Sequence, residues 1–251
     1  MAFAVLTRDE VQPYQAAFAA LGLDVVAMPV TRFAPPADTE ALGRALAAGG
    51  HAAIVVASPR AAYELGRAKT ATLAELPEVW AVGPSTKRAL DIAQIPATHP
   101  PDVRDGAELA TKLVASRNLR GKRVLVPRAE EGRDDGIKVL VAAGADVDAV
   151  IAYRTVAAAA DDPKVVRGRQ LLASGDAAIC AVFAPSQVQA LADLVGDLAA
   201  LSCRFAAIGA TTAAALGDCG VRDVAVAASP TPDGMAAAIA SVYPTVSRRQ
   251  E

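Results

Sequence analysis

The chain has 251 residues, a length that fits one large domain or two domains of about 120 residues each. Hydrophobic residues make up 53% of it, which is enough for a core and unlike the apolar-poor composition of disordered proteins. The 25 basic and 27 acidic residues leave a net charge of −2, and only 4% of the residues are aromatic. This balance argues against a nucleic-acid-binding protein and against binding to an anionic membrane surface.

Three further features of the sequence exclude other classes of protein. They are the N-terminus, the cysteines and the histidines. Residues 1–8 lack the basic start of a signal peptide, and no apolar run approaches the ~18 residues that span a membrane. The three cysteines form no Cys-x-x-Cys pair, so we expect reduced structural thiols in a cytoplasmic protein. The two histidines, His51 and His99, stand in unrelated contexts, so we expect neither a zinc site nor a histidine-based triad.

Short apolar runs, predicted as strands, alternate along the chain with alanine-rich stretches, predicted as helices. In chain order the strands are predicted within residues 5–6, 24–33, 54–56, 80–82, 124–126, 146–155, 178–182 and 205–208. The runs are continuously apolar, a pattern typical of strands that helices cover on both faces. The alternation therefore predicts an α/β fold with parallel sheets.

The two halves of the chain repeat one another. The strand, arginine, helix, glycine turn and strand around Arg8 recur around Arg128. The apolar run before Ser58 recurs before Ala184, 126 residues later, and the glycine turn after the next strand recurs at the same spacing. Solenoid repeats have periods of about 20 to 50 residues, so this pattern indicates a duplicated half instead.

Two interruptions predict where the chain crosses between domains. Residues 34–38 follow the predicted strand 24–33, and residues 157–163 follow the equivalent predicted strand 146–155. Both interruptions are rich in proline and small residues, which is typical of linkers.

Small hydroxyl residues and arginines follow several predicted strands. Ligands of α/β proteins bind beyond the carboxyl ends of strands, where helix N-termini offer free N–H groups to anions. The dinucleotide and P-loop motifs are absent from the sequence, so those ligands have no support. The candidates are Arg8, Ser58, Thr86, Arg128, Ser186, Thr211 and Thr212. We interpret them either as a site that binds a polyanion or as helix N-caps and, for the two arginines, inter-element salt bridges.

Four segments and the C-terminal tail, in this order and spacing, resemble one known family over nearly the whole chain. The segments are residues 7–8, 124–128 through 149–155, 183–186 and 204–212, and the tail is residues 228–235. Together they resemble the uroporphyrinogen-III synthase family. The resemblance implies two flavodoxin-like parallel-sheet domains joined by a two-stranded crossing, with the substrate cleft between them. Domain one would comprise residues 1–34 and 158–251, and domain two residues 37–155, so the predicted linkers lie at the crossing.

The resemblance also implies a reaction. The family is a cofactor-independent lyase of haem biosynthesis that cyclises hydroxymethylbilane, a linear tetrapyrrole with eight carboxylates. Water leaves the hydroxymethyl end, ring closure passes through a spiro intermediate, and the last pyrrole ring is inverted. The substrate also closes without an enzyme, but without inversion, so much of the task is to hold the substrate in the inverting conformation.

The site residues that the resemblance implies centre on Tyr153, which matches the family's tyrosine near the domain crossing. A phenol is protonated at neutral pH, so we expect Tyr153 to donate a proton to the departing hydroxyl, or else only to hydrogen-bond the substrate. Arg204 stands where a basic residue is common in the family. The positions that match carboxylate-contacting residues are Ser58, Thr86, Ser186, Thr211 and Thr212.

Two other functions fit the same composition. A two-domain sensor could close on an anionic ligand without catalysis, and a synthase-like domain could have lost its activity. We expect the synthase, acting as a monomer on a small-molecule substrate, with no metal, cofactor, nucleic acid or membrane partner.

Overall fold

The computed structural model describes residues 2–243 and divides the chain into two compact units. Unit 1 comprises Met1–Arg32 together with Val156–Glu251, and unit 2 comprises Phe33–Thr155. Residue 1 and residues 244–251, which the sequence analysis assigns to domain one, lie outside the described residues.

Strands and helices alternate along the described chain. In order they are β1 (Ala2–Leu6), α1 (Gln12–Ala19), β2 (Leu23–Ala27), β3 (Thr31–Ala34), α2 (Ala41–Ala48), β4 (His51–Val56), α3 (Pro59–Thr72), β5 (Glu78–Ala81), α4 (Gly83–Ile92), β6 (Ala97–Thr98), α5 (Gly106–Ser116), β7 (Arg123–Ala129), α6 (Asp135–Ala142), β8 (Asp146–Ala157), α7 (Pro163–Ser174), β9 (Ala177–Val182), α8 (Pro185–Val195), β10 (Arg204–Ala207), α9 (Ala210–Asp218), β11 (Ala225–Val226) and α10 (Pro232–Val242). A short 3₁₀ helix, Leu198–Ala200, precedes β10.

Unit 1 contains a five-stranded sheet in the order β11-β10-β9-β1-β2, in which all neighbouring strands are parallel. Counted from β1, this is the flavodoxin-like order 2-1-3-4-5. Alternate residues of β1 point to opposite faces, so Val5 packs in one core cluster while Ala4 and Leu6 pack in another. Both faces of the sheet are therefore buried, as the continuous apolar runs predict.

The sheet of unit 2 has the same plan. Its order is β3-β8-β7-β4-β5-β6, and the pairs from β8 to β6 are parallel. When β7 is numbered 1 and β8 is numbered 2, and β4, β5 and β6 are numbered 3, 4 and 5, these five strands again follow the order 2-1-3-4-5. The strands that the sequence repeat pairs thus occupy equivalent places in the two sheets. The prediction of an α/β protein with two parallel-dominated sheets is confirmed.

The strand predicted over residues 24–33 is wrong in one respect. The structure forms two strands there, β2 and β3, and they belong to different sheets. Pro29 lies between them and lacks the N–H that a continuous ladder requires. The equivalent stretch in the second half has no proline and runs unbroken as β8.

The chain passes from one unit to the other within β3 and returns within β8. These two strands are neighbours in the six-stranded sheet. Among residues 2–243, no helix is both long enough and apolar enough to cross a membrane.

Candidate active site

A pocket of about 260 Å³ opens at the carboxyl ends of the central strands of unit 2. It is lined by the turn after β4, the start of α5, the loop between β7 and α6, and one residue of β8. Three of the predicted site residues, Ser58, Arg128 and Tyr153, line it together. The structure therefore brings these three together from separate parts of the sequence.

Tyr153 and Ser58 form the polar centre of this pocket. The Tyr153 hydroxyl lies 3.1 Å from Ser58 Oγ, and the Tyr153 side chain is almost entirely buried. Ser58 is also the N-cap of α3, where its Oγ accepts a hydrogen bond of 3.1 Å from the N–H of Ala61. Because Oγ accepts from the backbone, its own proton is free to point at the Tyr153 oxygen. Ser58 is thus both a helix cap and the partner of Tyr153.

Arg128 extends from β7 along the pocket wall. Its guanidinium donates a hydrogen bond to the carbonyl of Gly132 and forms an ion pair with Asp134. Its Nε is buried and, within the described chain, has no hydrogen-bond partner. The guanidinium is held in place, although only part of its hydrogen-bonding capacity is used.

Asp105 occupies the N-terminus of α5 at the pocket edge. Its carboxylate accepts hydrogen bonds of 3.0 Å from the N–H groups of Ala107 and Glu108. The bond from Glu108 is the main cause that lowers the pKa of Asp105 below its usual value, and the positive charges of Arg133 and Arg104 act in the same direction. Two N–H groups at this end of α5 therefore bond to the Asp105 cap rather than to a ligand. Arginines supply the positive charge of the pocket.

Close contact between α5 and α6 shapes the base of the pocket. A Cβ atom at Gly136 would lie only 2.6 Å from the carbonyl oxygen of Gly106, so a side chain there would force the two helices apart. Both glycines line the pocket.

Thr86, the remaining candidate in unit 2, lies apart from this pocket. It is in the first turn of α4 and only 1% exposed, so its hydroxyl is not open to a ligand. Thr86 itself therefore offers a substrate only its backbone, whereas the neighbouring Ser85 is exposed.

Unit 1 carries its candidates at the same edge of its own sheet. Arg8 follows β1, Ser186 lies in the first turn of α8, and Thr211 and Thr212 lie in the first turn of α9. Ser186 and Thr211 are exposed, whereas Thr212 is buried. Since β1, β9 and β10 are neighbours, the turns that follow them share one edge.

The guanidinium of Arg8 packs against two aromatic rings. It lies 5.2 Å from the ring centroid of Tyr14 and 5.0 Å from that of Phe183, and it donates a hydrogen bond of 3.1 Å to the Tyr14 hydroxyl. Arg8 is a packed cation at the strand end, with about a third of its side chain exposed.

Among the candidates of unit 1, Arg204 lies apart from the others. It begins β10, whereas Thr211 and Thr212 follow the end of that strand. Four strand residues span about 13 Å, so Arg204 lies toward the opposite edge of the sheet. Its guanidinium stacks on the ring of Tyr243 at 4.9 Å.

Two residues near Tyr153, Phe33 and Arg60, were not among the candidates predicted from the sequence. The Tyr153 ring packs edge-to-face against Phe33 of β3, with ring centroids 5.4 Å apart. The guanidinium of Arg60 lies over the Phe33 ring, 5.1 Å from its centroid. Arg60 follows Ser58-Pro59 directly, which was the one available sequence signal, but nothing in the sequence pairs it with Phe33.

The comparisons with known proteins agree with this fold. A family model described as "Uroporphyrinogen-III synthase HemD" matches residues 12–237. The structure of a mutant uroporphyrinogen III synthase from Thermus thermophilus is similar, with 20% identity, a TM-score of 0.63, and coverage of 98% of this chain and 100% of that one. The uroporphyrinogen-III synthetase of Helicobacter pylori is 16% identical with a TM-score of 0.62, over 96% of this chain and 100% of that one.

A search of curated proteins gave no match. The two solved structures are less than 25% identical, so they support the fold, and the family model supports the assignment. That model spans most of the sequence, and the chain therefore belongs to the uroporphyrinogen-III synthase family.

Proposed function

We propose that the pocket of unit 2 is where this chain carries out its family's reaction, with Tyr153 as the proton donor. As a family member, the chain is a lyase of tetrapyrrole biosynthesis that cyclises hydroxymethylbilane with inversion of the last pyrrole ring, without a cofactor. The observation that supports the proposal is the contact of 3.1 Å between the Tyr153 hydroxyl and Ser58 Oγ inside a pocket lined by arginines.

The first step removes water from the hydroxymethyl end of the substrate. The Tyr153 O–H donates its proton to the departing hydroxyl, the C–O bond breaks, and an azafulvene cation and water form. Ser58 donates a hydrogen bond to the phenolate oxygen that remains, since a phenolate has no proton to donate and the Ser58 hydroxyl can accept from Ala61 while it donates. The proton lost when the last ring recovers its conjugation returns to Tyr153, so the catalyst ends unchanged.

Binding of the carboxylates supports the inverting conformation. We propose that Arg128 and Ser58 contact substrate in unit 2, and that Arg8, Ser186 and Thr211 do so in unit 1. Thr86 and Thr212 are buried, so their contribution is through the N–H groups of their helix turns. Arg204 is left out of the proposed contacts because it begins its strand.

The test is the Tyr153→Phe variant, which keeps the ring against Phe33 and removes only the hydroxyl. Loss of a general acid lowers kcat by about 100-fold, with KM for hydroxymethylbilane nearly unchanged. A raised KM with an unchanged kcat would mean that Tyr153 only positions the substrate. An unchanged kcat and KM would remove Tyr153 from the site altogether. No observation favours the alternative of a non-catalytic anion sensor.

We also propose that the domains are residues 1–34 with 158–251 and residues 37–155, and that the protein acts as a cytoplasmic monomer with no nucleic-acid partner. Free thiols at Cys180, Cys203 and Cys219 support a reducing compartment. Burial raises the pKa of Cys203 to about 12 and that of Cys180 well above its usual value. Both thiols therefore stay protonated at pH 8, and we expect only Cys219 to react with a thiol reagent before unfolding. Light scattering tests the monomer, and a dimer at micromolar concentration would contradict it.

A further inference from the structure

We propose that an exposed surface beside Tyr153, formed by Phe33, Arg60 and Tyr63, binds one carboxylate-bearing pyrrole ring of the substrate. We call it the aromatic surface. The inference rests on the proposed function, because its ligand is the substrate of that reaction. It adds three specificity-determining residues to the site that Tyr153 defines.

The aromatic surface is continuous with the proton donor. The Phe33 ring contacts the Tyr153 ring edge-to-face, with an interplanar angle of 89°. Arg60 lies over the Phe33 ring at 5.1 Å and over the Tyr63 ring at 4.8 Å. A path of packed rings and one guanidinium thus leads from the buried Tyr153 out to solvent.

Its two outer rings are open to solvent. Phe33 and Tyr63 are each 53% exposed, although aromatic side chains are only 4% of this sequence. A single exposed apolar residue is ordinary, but an exposed aromatic pair next to a ligand pocket marks a binding surface.

The aromatic surface also carries a positive charge. Arg60 and Arg67 both form ion pairs with Glu64, so two guanidinium groups share one carboxylate and one positive charge remains uncompensated. The Nε of Arg60 is buried and, in the part of the chain that the structure describes, has no hydrogen-bond partner. The rings and Glu64 therefore hold the guanidinium in place, and the 30% of the Arg60 side chain that is exposed is the part that an anion meets.

A pyrrole ring with acidic side chains complements this surface. The ring is flat and electron-rich, so it stacks on aromatic rings and on a guanidinium plane, and its carboxylates pair with Arg60. Continuity with Tyr153 favours the substrate over a protein partner as the occupant. Arg60 lies in the first turn of α3, whose N-cap is Ser58, so one helix end positions both the bound ring and the partner of the proton donor.

Steady-state kinetics with hydroxymethylbilane test the inference, with Arg67→Gln as the matched control for Arg60→Gln. Both variants remove one arginine from Glu64, but Arg67 contributes nothing to the aromatic surface. Loss of a charge-assisted hydrogen bond raises KM about tenfold in Arg60→Gln, with kcat within about twofold, and leaves KM unchanged in Arg67→Gln.

A second pair of variants keeps the test independent of the folding of Arg60→Gln. Tyr63→Leu raises KM about threefold through loss of the ring, and Tyr63→Phe restores it. Ile92→Ala, a change at an exposed apolar side chain elsewhere in unit 2, leaves KM unchanged.

The outcomes separate this inference from the proposed function. If the wild-type protein forms the inverted isomer and Arg60→Gln shows the same KM as Arg67→Gln, the aromatic surface does not bind substrate. If the variants change only self-association in light scattering, the surface is an interface and the inference is wrong. If the wild-type protein forms no inverted isomer above the rate in buffer, the proposed function itself fails.

Discussion

The turns that follow β4 and β9 occupy equivalent places in the two units, yet they use their polar groups in opposite ways. In unit 2 the turn begins with Ser58, which caps α3 and reaches the Tyr153 hydroxyl in the pocket. In unit 1 the equivalent position is Ala184, which leaves the N-terminus of α8 without a side-chain cap.

In unit 1 the polar groups of the equivalent turn form hydrogen bonds with one another. Gln187, one turn into α8, accepts hydrogen bonds at Oε1 from the N–H of Phe183 at 3.0 Å and from Thr7 Oγ1 at 2.7 Å. Thr7 is fully buried, so this network ties β1 to the end of β9 and presents little to a ligand. The two units therefore share one scaffold, while the proposed proton donor, Tyr153, lies in only one of them.

The largest effect is expected where unit 2 depends on close backbone contact. Gly136→Ala places a methyl group against the carbonyl of Gly106, and such overpacking costs about 1–3 kcal/mol. We expect a lower free energy of unfolding in urea and a lower kcat/KM, since the same two glycines line the pocket.

Gly217→Ala in α9 of unit 1 is the control for that change. A Cβ atom at Gly217 meets nothing within 4 Å, so the substitution raises the free energy of unfolding by about 0.5 kcal/mol through the helix backbone. Equal stability of the two variants would contradict the role assigned to the contact between α5 and α6.

The internal network of unit 1 predicts a loss of stability without a loss of chemistry. Gln187→Ala leaves the N–H of Phe183 without an acceptor, whereas the hydroxyl of Thr7 keeps the carbonyl of Ala181 at 3.2 Å, so the free energy of unfolding falls by about 2 kcal/mol. We expect kcat to remain within about twofold at a temperature where the variant is folded, as measured by steady-state turnover. A large fall in kcat would place this turn in the reaction site as well.

The smallest effects come from exchanging the two caps. Ser58→Ala removes the cap of α3 and costs about 1 kcal/mol of stability, and it also lowers kcat several-fold because Tyr153 loses its partner. Ala184→Ser supplies a cap to α8 and raises stability by about 0.5–1 kcal/mol without changing kcat. Thermal melts and turnover of both variants check the pair. If Ser58→Ala changes stability alone, Ser58 is only a helix cap.

The fold was largely predictable because burial on both sheet faces leaves a strong pattern of apolar runs. The break at Pro29 was readable in principle, since proline interrupts a ladder, but the sequence does not reveal that β2 and β3 join different sheets. That choice depends on long-range pairing of β3 beside β8.

The candidate site was predictable where a residue lies near the carboxyl end of a strand or matches the pattern of the family. Ser58 and Arg128 lie as expected at strand ends, and Tyr153 joins them through the register of β8 beside β7. The contact of Phe33 with Arg60 joins β3 and α3, and nothing in the sequence indicates that these two elements are neighbours. The burial of Thr86 and Thr212 depends on how their helices pack. The presence of a hydroxyl residue at these positions does not predict it.

Isomer analysis of the product shows whether this protein inverts the last pyrrole ring. Wild-type protein and Tyr153→Phe are incubated with freshly generated hydroxymethylbilane, and the products are oxidised and separated into isomers I and III. We expect mostly isomer III from the wild-type protein, and slower turnover with a larger share of isomer I from Tyr153→Phe, because spontaneous closure then competes. Only isomer I from folded wild-type protein would contradict the proposed function.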